Sequence, residues 1–322
     1  MKFWFYLCLF FCSLVQAEEK ALTHVRQLTS FSMGFEKAGE AYFSPDGTTI
    51  IFQAVPESQH HYQIYTMKLD DGVPIMVSTG KGTCTCAYFR PDGQKILFAS
   101  SHESPIADRK SPENQGKYRW DFTPYMNIYE ANPDGTSLTL LTTGAAYCAE
   151  CAYSPDGSQI VYASNRDGSM NLYVMKADGS HVRQITHTSH CYNGGPFFSP
   201  DGRHIVFRAD RDRADYLQLF LIGSDGSGEK QLTFNEAVNW APYWHPSGEV
   251  IAYTTSLHGH HQYQIYLMNL RTGVQYRLTD HPSFNGLPSF SPDGQKILWT
   301  SKRADHTSQI FIADFTMPEE LR

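Results

Sequence analysis

The sequence lacks several features that would assign it to common functional classes. It has no basic run, and its 26 Lys and Arg are outnumbered by 33 Asp and Glu, which gives a net charge of −7. A modestly acidic chain of this kind is a poor candidate for binding nucleic acid or anionic lipid. It also contains no Gly-x-Ser-x-Gly elbow, the turn that carries the nucleophile of many serine hydrolases.

Long apolar runs are equally scarce. The one run of note extends from Phe3 to Leu14 and is followed by Val15-Gln16-Ala17. It is too short to span a bilayer as a helix, and its position after Lys2 predicts a signal peptide of residues 1–17, cleaved after Ala17. The mature chain would lose one positive charge and carry −8. We therefore expect a periplasmic or secreted monomer without membrane insertion after cleavage.

What the sequence does contain is a repeat. Six copies of a turn phrase have their glycines at Gly47, Gly93, Gly157, Gly202, Gly248 and Gly294. Five copies read Pro-Asp-Gly and the fifth in order, beginning at His245, reads Pro-Ser-Gly. Proline presets the first turn dihedral, Asp can accept hydrogen bonds from the backbone ahead, and Gly accepts a positive φ. Apolar segments on both sides predict two paired strands around each turn.

Two more strands complete each repeat. A Gln/Asn-Ile/Leu-aromatic phrase such as Asn171-Leu172-Tyr173 follows each second strand, and a segment such as Arg183-Gln184-Ile185-Thr186 follows the next turn. Four short antiparallel strands in about 46 residues predict one blade of a β-propeller. The sequence therefore predicts an all-β protein, a six-bladed propeller in which residues 18–322 form one domain without linkers.

The two ends of the chain predict how the ring closes. The sixth repeat ends after its third strand near Phe311, while residues 25–29 match the fourth-strand phrase and precede the first repeat. An N-terminal strand placed in the last blade would complete that sheet and cover its open edge.

The repeats resemble those of TolB-family propellers over essentially the whole mature chain. The unit from Ser154-Pro155-Asp156-Gly157 to Thr186, with Asn-Leu-Tyr-Val-Met-Lys-Ala-Asp-Gly-Ser and Arg-Gln-Ile-Thr, carries the resemblance. It implies a PD40-type, WD40-like repeat protein that binds other proteins in the cell envelope. Between Glu18 and Val25 there is no room for the additional N-terminal α/β domain of TolB, so a Tol-Pal role is not implied. Similar repeats occur in prolyl-oligopeptidase-type peptidases, whose hydrolase domain is missing here, and in oligogalacturonate lyases.

Strand alternation separates two faces. The Pro-Asp-Gly and Asp-Gly turns share one face, the turn face, and the connections between blades share the opposite loop face. On the loop face, two rings of residues lead into the first strands. Seven residues before the turn prolines stand Ala38, Cys84, Cys148, Asn193, Asn239 and Asn285, and five before them stand Glu40, Cys86, Glu150, Gly195, Ala241 and Leu287. We select Glu40, Glu150, Asn193, Asn239 and Asn285 as ligand-binding candidates, with a local turn-stabilising role as the alternative for the asparagines.

Blade 2 carries about 18 extra residues between its second and third strands, within Ser101 to Thr123. Long loops on rigid scaffolds often carry binding residues, so Arg109, Tyr118 and Trp120 are further candidates, against a tolerated surface insertion.

Histidine and cysteine suggest two other sites. Weak candidates for binding a metal ion in the channel are His60, His61, His258, His260 and His261. In an oxidising compartment the five mature cysteines favour a disulfide, for which Cys84 and Cys148 occupy equivalent positions on adjacent blades. The alternative is that four of the cysteines bind a zinc ion.

Two functions remain open. The first is a non-enzymatic scaffold or adaptor without a cofactor, which binds an envelope protein, peptide or glycan at the loop face. The second is a metal-dependent oligogalacturonate-type lyase or hydrolase in the channel, for which His258, His260, Arg208 and Arg211 could supply a base and sugar-binding cations. Because no compact catalytic motif is present, we expect binding rather than catalysis.

Overall fold

The computed structural model describes residues 19–104, 122–304 and 307–322, and it confirms the predicted all-β fold. Six four-stranded antiparallel sheets form the blades of a propeller. The only helical segments in these three ranges are two short 3₁₀ helices, Phe31–Met33 and Glu319–Leu321. In the same ranges no helix is both long and apolar enough to cross a membrane.

The strands follow the repeat in chain order. The first strands, nearest the channel, are β2 (Phe35–Phe43), β6 (Cys84–Phe89), β10 (Cys148–Tyr153), β14 (Asn193–Phe198), β18 (Asn239–Trp244) and β22 (Asn285–Phe290). The second strands are β3 (Thr49–Pro56), β7 (Ile96–Ser100), β11 (Gln159–Ser164), β15 (His204–Ala209), β19 (Val250–Thr255) and β23 (Lys296–Ser301). The third strands are β4 (Gln63–Lys68), β8 (Asn127–Ala131), β12 (Asn171–Lys176), β16 (Gln218–Gly223), β20 (Gln264–Asn269) and β24 (Gln309–Phe315). The outer strands are β5 (Pro74–Met76), β9 (Thr139–Leu140), β13 (Arg183–Gln184), β17 (Lys230–Gln231), β21 (Gln275–Arg277) and, for blade 6, β1 (Leu22–Gln27).

The repeated turn phrase forms the β-turn that its residues predict. In blade 1, Gly47 has φ 72° and donates its N–H to the Ser44 carbonyl at 2.8 Å. The Ser44 hydroxyl and the Thr48 N–H both donate to Asp46 Oδ1. These bonds, led by the one from Ser44, lower the pKa of Asp46. The turn thus keeps its own polar groups satisfied and leaves the flanking strands in register.

A second repeated contact joins the third and fourth strands. In blade 3, Thr186 Oγ1 accepts the N–H of Leu172 at 2.8 Å and donates to Asn171 Oδ1 at 3.0 Å. Thr142 in blade 2 and Thr279 in blade 5 make the same pair of bonds. This contact, which we call the threonine clasp, satisfies a buried backbone N–H where the short outer strand has ended.

The N-terminal strand closes the ring, as predicted. Strand β1 pairs antiparallel with β24, and the sheet order is β1-β24-β23-β22. Thr29 makes the threonine clasp of blade 6, since its hydroxyl accepts the Ile310 N–H at 2.9 Å. The core lies between neighbouring blades. At the closure Ile50 and Phe52 of blade 1 pack against Leu298 and Ile310 of blade 6, all fully buried.

Candidate functional site

Each first strand carries a β-bulge that aims one side chain at the channel. The bulge residues have a left-handed backbone with φ between 48° and 56°, and they form the whole of the second predicted ring: Glu40, Cys86, Glu150, Gly195, Ala241 and Leu287. The register of every first strand shifts at this position. A left-handed non-glycine residue costs roughly 1–2 kcal/mol, so the fold sustains strain at this ring in five of six blades.

All six bulge residues line one cavity of about 380 Å³ on the loop face. We call it the loop-face cavity. Its walls add three aromatic side chains: Tyr62 from the β3–β4 loop of blade 1, Tyr147 from the connection between blades 2 and 3, and Trp240 from β18. The cavity combines carboxylates with aromatic surfaces, which is typical of a binding site.

A layer of aromatic rings forms the floor of this cavity. Tyr42, Tyr88, Phe197 and Tyr243 pack with ring centroids 5.0–5.9 Å apart. The hydroxyls of Tyr88 and Tyr243 are hydrogen-bonded at 3.0 Å. Beyond this layer lies a second depression of about 290 Å³ on the turn face, bordered by all six turn prolines. The aromatic layer therefore lies between the two ends of the channel.

A buried ion pair joins two blades in the cavity wall. Arg208 Nη2 lies 2.9 Å from Glu150 Oε2, and both side chains are 7 % exposed. Tyr192 Oη accepts from Arg208 at 2.8 Å and lies 2.7 Å from Glu150 Oε2, to which it donates. The Gly195 N–H donates to the same carboxylate. A Cβ on Gly195 would lie 2.1 Å from Arg208 Nη1, so only glycine leaves room for this guanidinium. The pair is well satisfied and holds blades 3 and 4 together.

Glu40 has different surroundings from Glu150. Among the described residues, none of the ion pairs within 4.0 Å involves Glu40. Its carboxylate accepts a long hydrogen bond of 3.4 Å from the Tyr42 hydroxyl. Burial raises the pKa of Glu40 to about 7; the charge of Arg208 opposes this rise and that of Glu150 adds to it. Glu40 is thus a carboxyl group that can change its charge near neutral pH.

The asparagines of the first predicted ring are buried, which argues against their selection as ligand-binding residues. Asn193, Asn239 and Asn285 are 0 % exposed. Asn193 Nδ2 donates to Met170 O at 2.8 Å, and Asn285 Nδ2 donates to Gln264 Oε1 at 3.2 Å. Their amides thus bond to the third strand of the preceding blade, and the structure favours the alternative role, which is structural.

One of these asparagines lacks a bond that the others make. Arg211 Nη2 donates to Asn193 Oδ1 at 2.7 Å, and Arg303 Nη2 donates to Asn285 Oδ1 at 2.8 Å. The equivalent position in blade 5 is Leu257, which is 45 % exposed. Asn239 Oδ1 is buried and has no hydrogen-bond partner within the described ranges. This carbonyl of blade 5 therefore lacks the bond that the guanidinium supplies in blades 4 and 6.

The histidine candidates do not converge. His61 contacts Thr83 at 2.9 Å in blade 1, whereas His258 contacts Tyr266 at 2.9 Å and His260 contacts Tyr263 at 3.1 Å in blade 5. Within residues 19–104, 122–304 and 307–322, no three His, Cys, Asp or Glu side chains form a group that could hold a metal ion. His60 and His261 likewise belong to no such group. Arg109, Tyr118 and Trp120 of the blade 2 insertion lie outside the described residues.

The predicted Cys84–Cys148 disulfide is absent from the structure, where all five cysteines of the described residues are free thiols. Cys84 Sγ lies 3.1 Å from Ser100 Oγ, and Cys148 Sγ lies 3.2 Å from Ser164 Oγ. In blades 2 and 3 these cysteines occupy the position that asparagine has in blades 4 to 6. Each contacts a serine in the second strand of its own blade, as Asn285 contacts Ser301. Each sulphur is therefore directed into its own blade and not across the junction.

Part of the site was not predicted from the sequence. Tyr62, Tyr147, Tyr192 and Trp240 were not selected, and Arg208 was considered only as a sugar-binding cation. An arginine directly after the apolar segment Ile205–Phe207 was a usable signal, because a charge on a buried strand needs a partner. The tyrosines gave no such signal, since the chain has 19 of them.

The fold and the channel define a six-bladed propeller with a cavity on its loop face. The family model of the TolB beta propeller domain (PD40) matches residues 127–259 and 235–319, which together exceed half of the chain. The chain therefore belongs to the TolB β-propeller family.

Solved structures with the same fold are similar at low sequence identity. A TolB-type protein of Agrobacterium tumefaciens is 23% identical with a TM-score of 0.62, over 87% of this chain and 91% of that one. TolB from Acinetobacter baumannii is 19% identical with a TM-score of 0.60, over 87% of this chain and 64% of that one. An oligogalacturonate lyase of Vibrio parahaemolyticus is 15% identical with a TM-score of 0.57, over 92% and 94% of the two chains. At these identities the likeness concerns the fold alone.

Proposed function

We propose that this protein is an exported, non-enzymatic propeller scaffold that binds an envelope protein, peptide or glycan at its loop face. The observation that carries the proposal is the loop-face cavity, where six bulge residues from six blades, five of them strained, surround a single space of about 380 Å³. Strain that recurs around a concave, aromatic-lined site is characteristic of binding sites. The TolB β-propeller family and the TolB neighbours support a scaffold role.

The charges in the cavity suggest what enters it. Glu150 is neutralised by Arg208, whereas Glu40 has no ion-pair partner among the described residues. When Glu40 is ionised the cavity therefore has an excess negative charge. A lysine, an arginine or a free amine would be attracted by this carboxylate. We infer that the bound segment places a cationic group in the cavity.

The test compares immobilised proteins that differ only at the cavity. Ala241 is a bulge residue whose equivalent in blade 6 is Leu287, so this position accepts a larger side chain, and Ala241→Trp would fill the cavity. Gln94→Trp places the same side chain on the exposed turn face and serves as the matched control. All three proteins are incubated with envelope extract, and the bound molecules are identified by mass spectrometry.

We expect the wild type and Gln94→Trp to retain a common partner in stoichiometric amount, and Ala241→Trp to lose it. Equal thermal melting of the two variants shows that both are folded. A partner that Ala241→Trp still binds would refute the cavity as the site. Loss of the partner in Gln94→Trp alone would indicate that the binding site lies on the turn face.

The oligogalacturonate-type lyase alternative has less support. It depends on a likeness of fold at 15% identity, and the described residues contain no group of three metal-ligating side chains. Incubation with oligogalacturonate and Mn²⁺, followed by ultraviolet absorbance of the unsaturated product, tests it. Turnover that Glu40→Gln abolishes would favour the lyase over the scaffold.

A further inference from the structure

Two cysteines lie close together across a blade junction in the wall of the loop-face cavity. Cys86 is the bulge residue of β6, and Cys151 follows the bulge residue Glu150 in the neighbouring first strand, β10. The Cys151 thiol donates to the carbonyl oxygen of Cys86 at 3.6 Å. Both cysteines line the cavity. Cys86 and Cys151 thus lie at the same junction between blades 2 and 3 as the predicted pair, Cys84 and Cys148.

The other three cysteines are less able to form a disulfide with Cys86 or Cys151. Cys84 and Cys148 contact serines within their own blades at 3.1 and 3.2 Å. Cys191 is half-buried in the connection that leads into β14 and borders a separate pocket, not the loop-face cavity. Rotation of the Cys86 side chain about its Cα–Cβ bond sets its distance from Cys151, whose sulphur already lies against the Cys86 backbone.

We propose that Cys86 and Cys151 are a redox site, and that they form a disulfide that links blades 2 and 3 in the wall of the cavity. The oxidant is a disulfide compound, either oxidised glutathione or an exported thiol-disulfide oxidase. One cysteine thiolate attacks the oxidant, which gives a mixed disulfide and releases one thiol. The second thiolate attacks the protein sulphur and releases the other thiol. Two protons leave the cysteines, and two electrons reduce the oxidant disulfide.

The surroundings of Cys86 bear on how fast this pair reacts. Burial, followed by the charges of Glu40 and Glu150, raises the pKa of the Cys86 thiol well above its ordinary value. Burial also raises the pKa of Cys151. Thiolate is therefore scarce in the folded protein at neutral pH, so oxidation is slow once folding is complete and faster during folding.

Oxidation of the two cysteines would also change the pKa of Glu40. The interaction of the Cys86 thiol with the Glu40 carboxylate lowers the pKa of Glu40. A disulfide has no S–H and cannot make it. The pair would therefore couple the redox state of the protein to the charge of the cavity. This consequence depends on the proposed function, whereas the disulfide itself does not.

The test measures thiols and needs no ligand. The full chain is equilibrated in glutathione redox buffers, both folded and during refolding from urea. Free thiols are then trapped with N-ethylmaleimide and counted by mass spectrometry. Cys84 and Cys86 share a tryptic peptide, as do Cys148 and Cys151, so four single serine variants assign the pair.

We expect the wild type to lose two free thiols under oxidising conditions, with Cys84→Ser and Cys148→Ser doing the same. Cys86→Ser and Cys151→Ser should keep all their remaining thiols. No loss of thiols in the wild type by either route would overturn the proposal. A disulfide that persists in Cys86→Ser or Cys151→Ser would also overturn it. Partner binding that is unaffected by the redox state would reject only the coupling to Glu40.

Discussion

The hydroxyl of Thr29 donates to Gln309 Oε1 at 2.8 Å, which joins two residues 280 positions apart in the chain. The same hydroxyl accepts the Ile310 N–H. These are the bonds that Thr186 makes inside blade 3 with residues close in sequence. The N-terminal segment is thus a true fourth strand, and the threonine clasp closes the ring.

Thr29→Val should destabilise the closed ring. The valine has the shape of threonine but leaves the Ile310 N–H and the Gln309 amide without their buried partner, at a cost of about 1–3 kcal/mol. Thr23→Val in the same strand changes an exposed side chain and is the control. Chemical denaturation measures the difference in free energy of unfolding. Equal stability of the two variants would contradict the role of the clasp, and deletion of residues 19–30 should have a larger effect.

The prediction of the fold succeeded because its signals were local and repeated. Each Pro-Asp-Gly turn and each third-strand phrase predicts the structure of a short segment. Six copies in the same order then predict one architecture. The candidate site was harder to predict. Glu40 and Glu150 were identified because the repeat brings equivalent positions to one ring. The asparagines were selected although they are buried. They stand only two residues before the channel-facing bulge residues, and the sequence does not show where the bulge lies. The partner of Arg208 lies 58 residues away and depends on tertiary packing.

Glu40→Gln should change the pH dependence of stability. The pKa of Glu40 rises from 4.5 to about 7 in the folded protein. Between these values the native state holds a proton that the unfolded chain has lost, so stability falls as pH rises through this window, by roughly 3 kcal/mol in total. Glutamine removes this loss, and the variant should exceed the wild type above pH 7. Denaturation from pH 4.5 to 8 measures it, with the exposed Glu57→Gln as control.

The Glu150–Arg208 pair should behave as one unit. Arg208→Met leaves a buried carboxylate without its cation and should cost about 3–5 kcal/mol. Glu150→Gln leaves the guanidinium uncompensated and should also destabilise the protein. The double variant should lose clearly less than the sum of both single losses, because neither charge is then stranded. Strictly additive losses in free energy of unfolding would show that the pair is not coupled.

Leu257→Arg should stabilise blade 5. The guanidinium would donate to the unsatisfied Asn239 Oδ1, as Arg211 does to Asn193, and the gain should be about 1 kcal/mol. Leu257→Ala removes the exposed apolar side chain without supplying a donor and separates the two effects. Thermal melting compares the variants. A melting temperature for Leu257→Arg no higher than that of Leu257→Ala would contradict the bond.

The most direct test of the cavity as the binding site is site-specific photocrosslinking. Benzoylphenylalanine in place of Tyr62 keeps an aromatic side chain in the cavity wall, and the same group in place of Gln94 reports on the turn face. After irradiation in envelope extract, we predict a covalent adduct with one partner from position 62, weakened by Glu40→Gln, and none from position 94. An adduct from position 94 alone would contradict the account.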